Sequence, residues 1–224
     1  MKDKIQVMIM DDHQGIVDGY RYRLSMAPNI EVVDTLSYGE ELETAMQENP
    51  VDVLILDVEV PASPGNSNSY PILHTIPKLL HLYPNLAILV ISMHNEPGLV
   101  RAIVDAGAAG YILKSDSNKI QELGKWIISL VNGDPCFSDK ILRVFPGRIN
   151  EPFTPRQLEA LSLCAAYPNS KTAELAAKME IASSTLRNLL STVYLKLGVQ
   201  TRAAAIAKAR QLGIITADSA LMQP

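Results

Sequence analysis

Residues 86–114 read LAILVISMHNEPGLVRAIVDAGAAGYILK. An unbroken apolar run at 86–91 stops at Ser92, Pro97 opens a stretch with helical spacing, and a second apolar run at 109–113 stops at Lys114. This is a strand, helix, strand unit whose strands are apolar on both sides, as parallel strands are when helices cover both faces of a sheet. The same alternation runs back to the start of the chain. Further strands are expected at 5–10 (IQVMIM), 31–35 (EVVDT) and 52–57 (DVLILD), with helices beginning near Ile16, Gly39, Tyr70, Pro97 and Asn118. Right-handed crossovers then give an α/β fold over residues 1–133: a doubly wound, five-stranded parallel sheet. The carboxyl ends of its first, third, fourth and fifth strands converge on one edge, where a site belongs.

Beyond Gly133 and Pro135 the strand signal ends. Residues 134–152, with Pro and Gly at both ends, are expected as a linker, 153–215 as a small all-α domain and 216–224 as a tail. Thr154-Pro155-Arg156-Gln157 places a capping hydroxyl before a proline at the first helical position, with Gln three residues after the cap. Pro168-Asn169-Ser170 breaks this helix and a second covers about 171–179. A third begins near Ser183 and runs to Leu197, where Gly198 ends it, and an Ala-rich fourth covers about 201–212.

The composition agrees with two modest globular domains. Of 224 residues, 47% are hydrophobic and 20% charged, which excludes a disordered or fibrous chain. Two cysteines, Cys136 and Cys164, supply neither metal-ligand spacing nor a disulfide framework, and a cytoplasmic location is expected. The apolar stretch at the start is too short for a signal peptide, and no later one approaches a membrane span. The net charge of −4 divides unevenly: residues 1–150 carry 12 Lys+Arg against 19 Asp+Glu, whereas 151–224 carry 8 against 5. Only the second part is suited to a polyanion. There is no GxGxxG, P-loop or HExxH motif to support nucleotide-dependent or zinc chemistry.

Five polar residues stand at the strand ends: Asp11 and Asp12 after the first, Asp57 after the third, Ser92 after the fourth and Lys114 after the fifth. A lone strand-end aspartate usually starts a turn. Here three carboxylates, a hydroxyl and an ammonium fall on one crevice, and an all-oxygen set of this kind suits Mg²⁺.

The blocks VMIMDDH, VLILDVEVP, VISMH and AGYILK resemble those of two-component response regulator receivers, over residues 5–133. The resemblance implies that Asp57 is the phosphoacceptor and that Asp11, Asp12, Asp57 and the Glu59 carbonyl hold Mg²⁺. It further implies that Ser92 and Lys114 bind the phosphoryl group, that Tyr111 repacks with Ser92, and that a sensor histidine kinase or other phosphodonor is the partner. Three features depart from the pattern: Ser115 where many receivers have Pro, Met93 at a place commonly small, where it would narrow phosphodonor access, and a long loop after Pro61, expected as a surface insertion, with a cover over the site or a kinase contact as the alternative.

Residues 153–215 resemble a LuxR-type helix-turn-helix, as in regulators of the NarL/FixJ type. Leu158, Leu161, Leu175, Met179, Leu186, Leu190, Val193 and Leu197 recur at three- and four-residue steps and form a core, which leaves function to the opposite face. The resemblance puts the helix from Ser183 into the major groove of double-stranded DNA, with Arg187, Asn188 and Ser191 exposed to bases and Ser184 and Thr185 near its start. Lys171, Lys196 and Arg202 would reach phosphates. Leu189 and Thr192 stand where His and Asn are frequent. With so few cations on one copy, a homodimer is expected to be the active form.

The reading is therefore a DNA-binding transcription regulator controlled by phosphorylation of Asp57, not an enzyme and not membrane-bound. Two other classes share parts of this pattern: a Mg²⁺-dependent phosphatase, and a phosphorylation-independent regulator or interaction protein.

Overall fold

The structure, a computed structural model, describes residues 4–144, 153–212 and 214. The first unit runs β1 (Ile5–Met10), α1 (Gln14–Ser25), β2 (Ile30–Leu36), a 3₁₀ turn at Gly39–Glu41, α2 (Leu42–Glu48) and β3 (Val53–Leu56). It continues with β4 (Pro61–Ser63), β5 (Asn66–Ser69), α3 (Ile72–Leu82), β6 (Ala87–Ser92), α4 (Pro97–Ala106), β7 (Gly110–Leu113), α5 (Ser117–Gln121) and α6 (Leu123–Asn132). Next come β8 (Cys136–Phe137) and α7 (Asp139–Val144), and then a helical unit of α8 (Pro155–Ala166), α9 (Thr172–Lys178), α10 (Ser183–Leu197) and α11 (Arg202–Gln211).

The main sheet is parallel, in the order β2-β1-β3-β6-β7-β8. Side chains alternate across it. Met8, Met10, Leu54, Leu56, Ile88 and Val90 enter the core on one face. Val7, Ile9, Val53, Ile55, Leu89 and Ile91 enter the core on the other. Both faces are buried because helices cover both, which is why these strands read as continuous apolar runs. Burying each such side chain stabilises the fold by roughly 1.5–3 kcal/mol.

Two stretches differ from expectation. The segment expected as a linker begins with a sixth strand, β8, and the helix α7, whose Phe137 and Ile141 are buried in the core that contains Tyr111. Two residues are too few to show a strand period, and the neighbouring Gly133 and Pro135 read as a break. The long loop after Pro61 folds as an antiparallel hairpin, β4 against β5, with all four β5 residues exposed. At its base the Tyr70 ring lies on Gly39, where a Cβ would sit 2.0 Å from the ring.

In the helical unit, Thr154 caps α8 by accepting from Gln157 N, and the Gln157 side chain accepts from Thr154 N in return. Gly198, at φ +64°, ends α10. Leu161, Leu175, Leu186, Leu190, Val193 and Leu197 form its core. Of the expected tail and linker, residues 145–152 and 215–224 lie outside the described residues.

The two units are docked. Ser184 N donates to Pro84 O (2.9 Å) and Thr172 Oγ1 to Asn132 O (2.9 Å). Thr172 sits over Gly133, where an added Cβ would fall 1.7 Å from Thr172 Oγ1. Leu195 of α10 joins the core cluster of the first unit. Pro84, Asn85 and Ala109 precede β6 and β7, so α10 lies at the amino ends of these strands.

Candidate functional site

At the carboxyl ends of the strands, backbone hydrogen bonds fix each functional residue. Asp11 N donates to Leu36 O (3.1 Å), Asp57 N to Met10 O (2.9 Å) and Lys114 N to Ser92 O (2.8 Å). Each residue just past a strand is thus tied to the neighbouring strand's end, and its side chain turns into the shared crevice. There Lys114 Nζ lies 2.8 Å from Asp57 Oδ2 and 2.7 Å from Asp11 Oδ2, with all three groups buried. Asp11 Oδ2 is paired with the Lys114 ammonium, and Asp11 Oδ1 accepts from His13 N (3.0 Å).

Burial pushes the Asp57 carboxyl above its ordinary range, against the opposing hydrogen bond and charge of Lys114, while the Asp11 charge adds to the rise. For Lys114, burial acts downward, but the hydrogen bonds and charges of Asp11 and Asp57 carry it above the usual lysine value. One ammonium therefore serves two buried carboxylates, an arrangement that favours a further cation. Ligand atoms of Asp11, Asp12, His13 and Asp57 lie within 4.8 Å of one another. The carboxylate oxygens of Asp11, Asp12 and Asp57 fit Mg²⁺ better than a softer metal.

Ser92 is fully buried, and its Oγ accepts from His94 N (3.2 Å). Tyr111 is also fully buried and donates its hydroxyl to His94 O (2.9 Å). The His94 ring bridges Glu59 (3.0 Å) and Glu96 (3.4 Å). These contacts raise its pKa, with the Glu59 hydrogen bond the largest cause. Sequence reasoning did not single out His94, whose only signal was its place two residues after Ser92. Met93 is exposed, so it does not fill the crevice.

The family described as "Response regulator receiver domain" matches residues 7–124. The chain belongs to the response regulators. The transcriptional regulatory protein MctR of Rhizobium johnstonii is 30% identical over 96% of this chain and 97% of its own length. The transcriptional regulatory protein DesR of Bacillus subtilis is 28% identical over 93% and 98%. Among solved structures, the RcsB response regulator of Salmonella typhimurium matches with a TM-score of 0.56 at 23% identity, covering 96% of this chain and all of that one, a likeness of fold. A receiver followed by a C-terminal helical domain makes this a response regulator of the NarL/FixJ type.

In this response regulator the expected DNA-reading face of α10 is not exposed. Arg187, only 7% exposed, donates to Asn85 O (2.6 Å) and Ser183 O (3.3 Å). Ser191 donates to Ala109 O (3.3 Å), and Ser184 is buried beside Pro84. Asn188 is half-buried near Gly107, while Thr185 remains exposed. Burial lowers the Arg187 pKa to about 10, opposed by the charge of Asp52. Helical periodicity identifies the side of α10 that faces away from its own domain, and here the receiver occupies that side. Of the expected phosphate contacts, Lys171 is exposed. Lys196 instead donates to Gln157 Oε1 (3.1 Å), and Arg202 donates to Ser170 O (2.6 Å) and Thr172 Oγ1 (3.2 Å). Among the described residues, no helix is long and apolar enough to cross a membrane.

Proposed function

We propose that this response regulator is a DNA-binding transcription regulator that accepts a phosphoryl group on Asp57, and that the docked arrangement is its DNA-excluding state. The observation that carries this reading is the burial of Arg187, Ser184 and Ser191 on the receiver. The helix face suited to the major groove has no room for DNA until the two units part.

Asp57 is the residue to be phosphorylated because its carboxylate faces both Lys114 and the Asp11 side of the crevice. An oxygen of Asp57 attacks the phosphorus of a phosphohistidine or small phosphodonor in line, and the donor leaves with the bond electrons. Lys114 is placed to neutralise the transferred oxygens, and Ser92 to donate a hydrogen bond to one of them. Mg²⁺, held by Asp11, Asp12, Asp57 and the Glu59 carbonyl, would supply the remaining positive charge.

DNA contact then falls to Arg187, Asn188 and Ser191, with Ser184 and Thr185 at the start of α10 and Lys171 on a phosphate. Docked as they are, Lys196 and Arg202 reach DNA only by leaving their present partners. The apparent DNA affinity is the intrinsic affinity scaled by the open fraction, so an open population of about one in a hundred weakens binding about a hundredfold. One α10 gains few phosphate contacts, and a pair on adjacent half-sites doubles them, which favours a homodimer as the active form.

Sedimentation and DNA binding with Mg²⁺, with and without beryllofluoride, test the reading. The mimic is expected to raise both the dimer fraction and the affinity for a duplex selected from a random library. An unchanged monomer fraction together with unchanged DNA affinity would sink it.

A further inference from the structure

The segment after Gly133 is built into the receiver at the place where a change at Ser92 arrives. Gly110 pairs with Cys136 and Tyr111 with Phe137 across β7 and β8. Gly110 makes this approach possible, since a Cβ there would lie 2.5 Å from the Cys136 carbonyl oxygen. Ser138 then closes the pairing twice, donating its N–H to Tyr111 O (3.0 Å) and accepting from Leu113 N at its Oγ (2.9 Å). Phe137 is fully buried in the core cluster of Tyr111, which also holds Leu195 of α10. One residue past Ser138, the exposed Asp139 accepts from the Gln200 amide (2.8 Å), and Gln200 Oε1 in turn accepts from Lys119 of α5 (2.8 Å). One short segment thus touches both the aromatic beside Ser92 and the DNA-binding domain.

We propose that residues 136–144 are a strap coupling the phosphorylation site to the docking of α10. Occupation of Asp57 loosens the strap from β7, and a loosened strap releases Gln200 and the recognition helix. The coupling runs through contacts already described. Ser92 ends β6, and the His94 carbonyl sits on the loop just after it, which a phosphoryl group on Asp57 would draw in. Tyr111 is anchored to that carbonyl, so its ring must shift, and Phe137 packs directly opposite it in the sheet. The proposal rests on Asp57 being the phosphoacceptor.

Hydrogen exchange on the full chain with Mg²⁺, with and without beryllofluoride, tests it. The mimic is expected to slow exchange at 57–59 and 92–94 and to speed it about tenfold at 136–142 and 184–191, since local opening sets the exchange rate of such amides. Slower exchange at 57–59 with no change at 136–142 overturns the strap and leaves the phosphoacceptor reading intact. No change at 57–59 counts against that reading instead, and two variants without the mimic then decide the strap. Gly110→Ala forces β8 off β7, and Asp139→Ala removes the Gln200 link from an exposed position without disturbing the core. Faster exchange at 184–191 in either supports the strap. If 184–191 stays protected in Asp139→Ala and in a Gly110→Ala protein that still melts cooperatively, the strap proposal falls.

Discussion

The two ends of the receiver sheet do opposite things with polar groups. At the carboxyl ends, one ammonium, Lys114, faces the two buried carboxylates of Asp11 and Asp57, an excess of negative charge that favours a cation. At the amino ends, the carbonyls of Pro84, Asn85 and Ala109 accept from α10, and the donors there are already satisfied. The first arrangement is open to chemistry and the second is closed by it. The difference puts the carboxylate cluster and the docking surface of α10 at opposite ends of one sheet.

The largest expected effect separates the two ends outright. Replacing Asp57 with Ala should abolish the gain of one phosphoryl mass on treatment with a small phosphodonor and Mg²⁺, read by intact mass, while leaving α10 docked. A labelled Asp57→Ala protein would move the acceptor elsewhere in the carboxylate cluster.

A second change attacks the closed end alone. Gly133 has φ +95° and carries Thr172 directly above it. Gly133→Ala costs about 1 kcal/mol in the left-handed backbone region and forces Thr172 away, so the helical domain is expected to undock. DNA affinity without phosphodonor should rise severalfold and beryllofluoride should add little more. If the mimic still produces its full increase, the seat on Gly133 does not hold the closed state.

The smallest effect is a difference between two measurements. Arg187→Ala is expected to cost about 1–3 kcal/mol of DNA affinity in the beryllofluoride-bound protein, if the freed side chain meets a base as proposed. In the unmodified protein the same change also removes a charged hydrogen bond to Asn85 O, worth roughly 1.5–3 kcal/mol to the closed state, so the net loss should be smaller. Equal losses in both states would show that Arg187 reads DNA without restraining the helix.

Much of this molecule is legible in its amino-acid order. Residues such as Leu54, Leu56, Ile88 and Val90 are buried on a doubly covered sheet, and their unbroken apolar runs say so. The convergence of Asp11, Asp57 and Lys114 follows from their positions just past strand ends. By contrast, β8 is two residues long and announces itself only through the glycine at position 110. The docking of α10 is hidden for a chemical reason. Arg and Ser donors suit backbone carbonyls at strand starts as well as they suit phosphates and base edges, so one polar face supports both readings until the neighbouring domain is placed. Gln200 and Asp139, an ordinary amide and a surface carboxylate, carry no pattern at all.

The burial of Arg187 on a receiver carbonyl also has a kinetic meaning. A DNA duplex approaching the closed chain meets 19 acidic against 12 basic side chains in the first 150 residues, and finds Ser184, Arg187 and Ser191 of α10 buried. If the closed arrangement is the DNA-excluding state proposed above, encounter is unproductive until the domains separate. The observed association rate should therefore climb with DNA concentration and level off at the opening rate, and a phosphoryl group on Asp57 should raise that plateau.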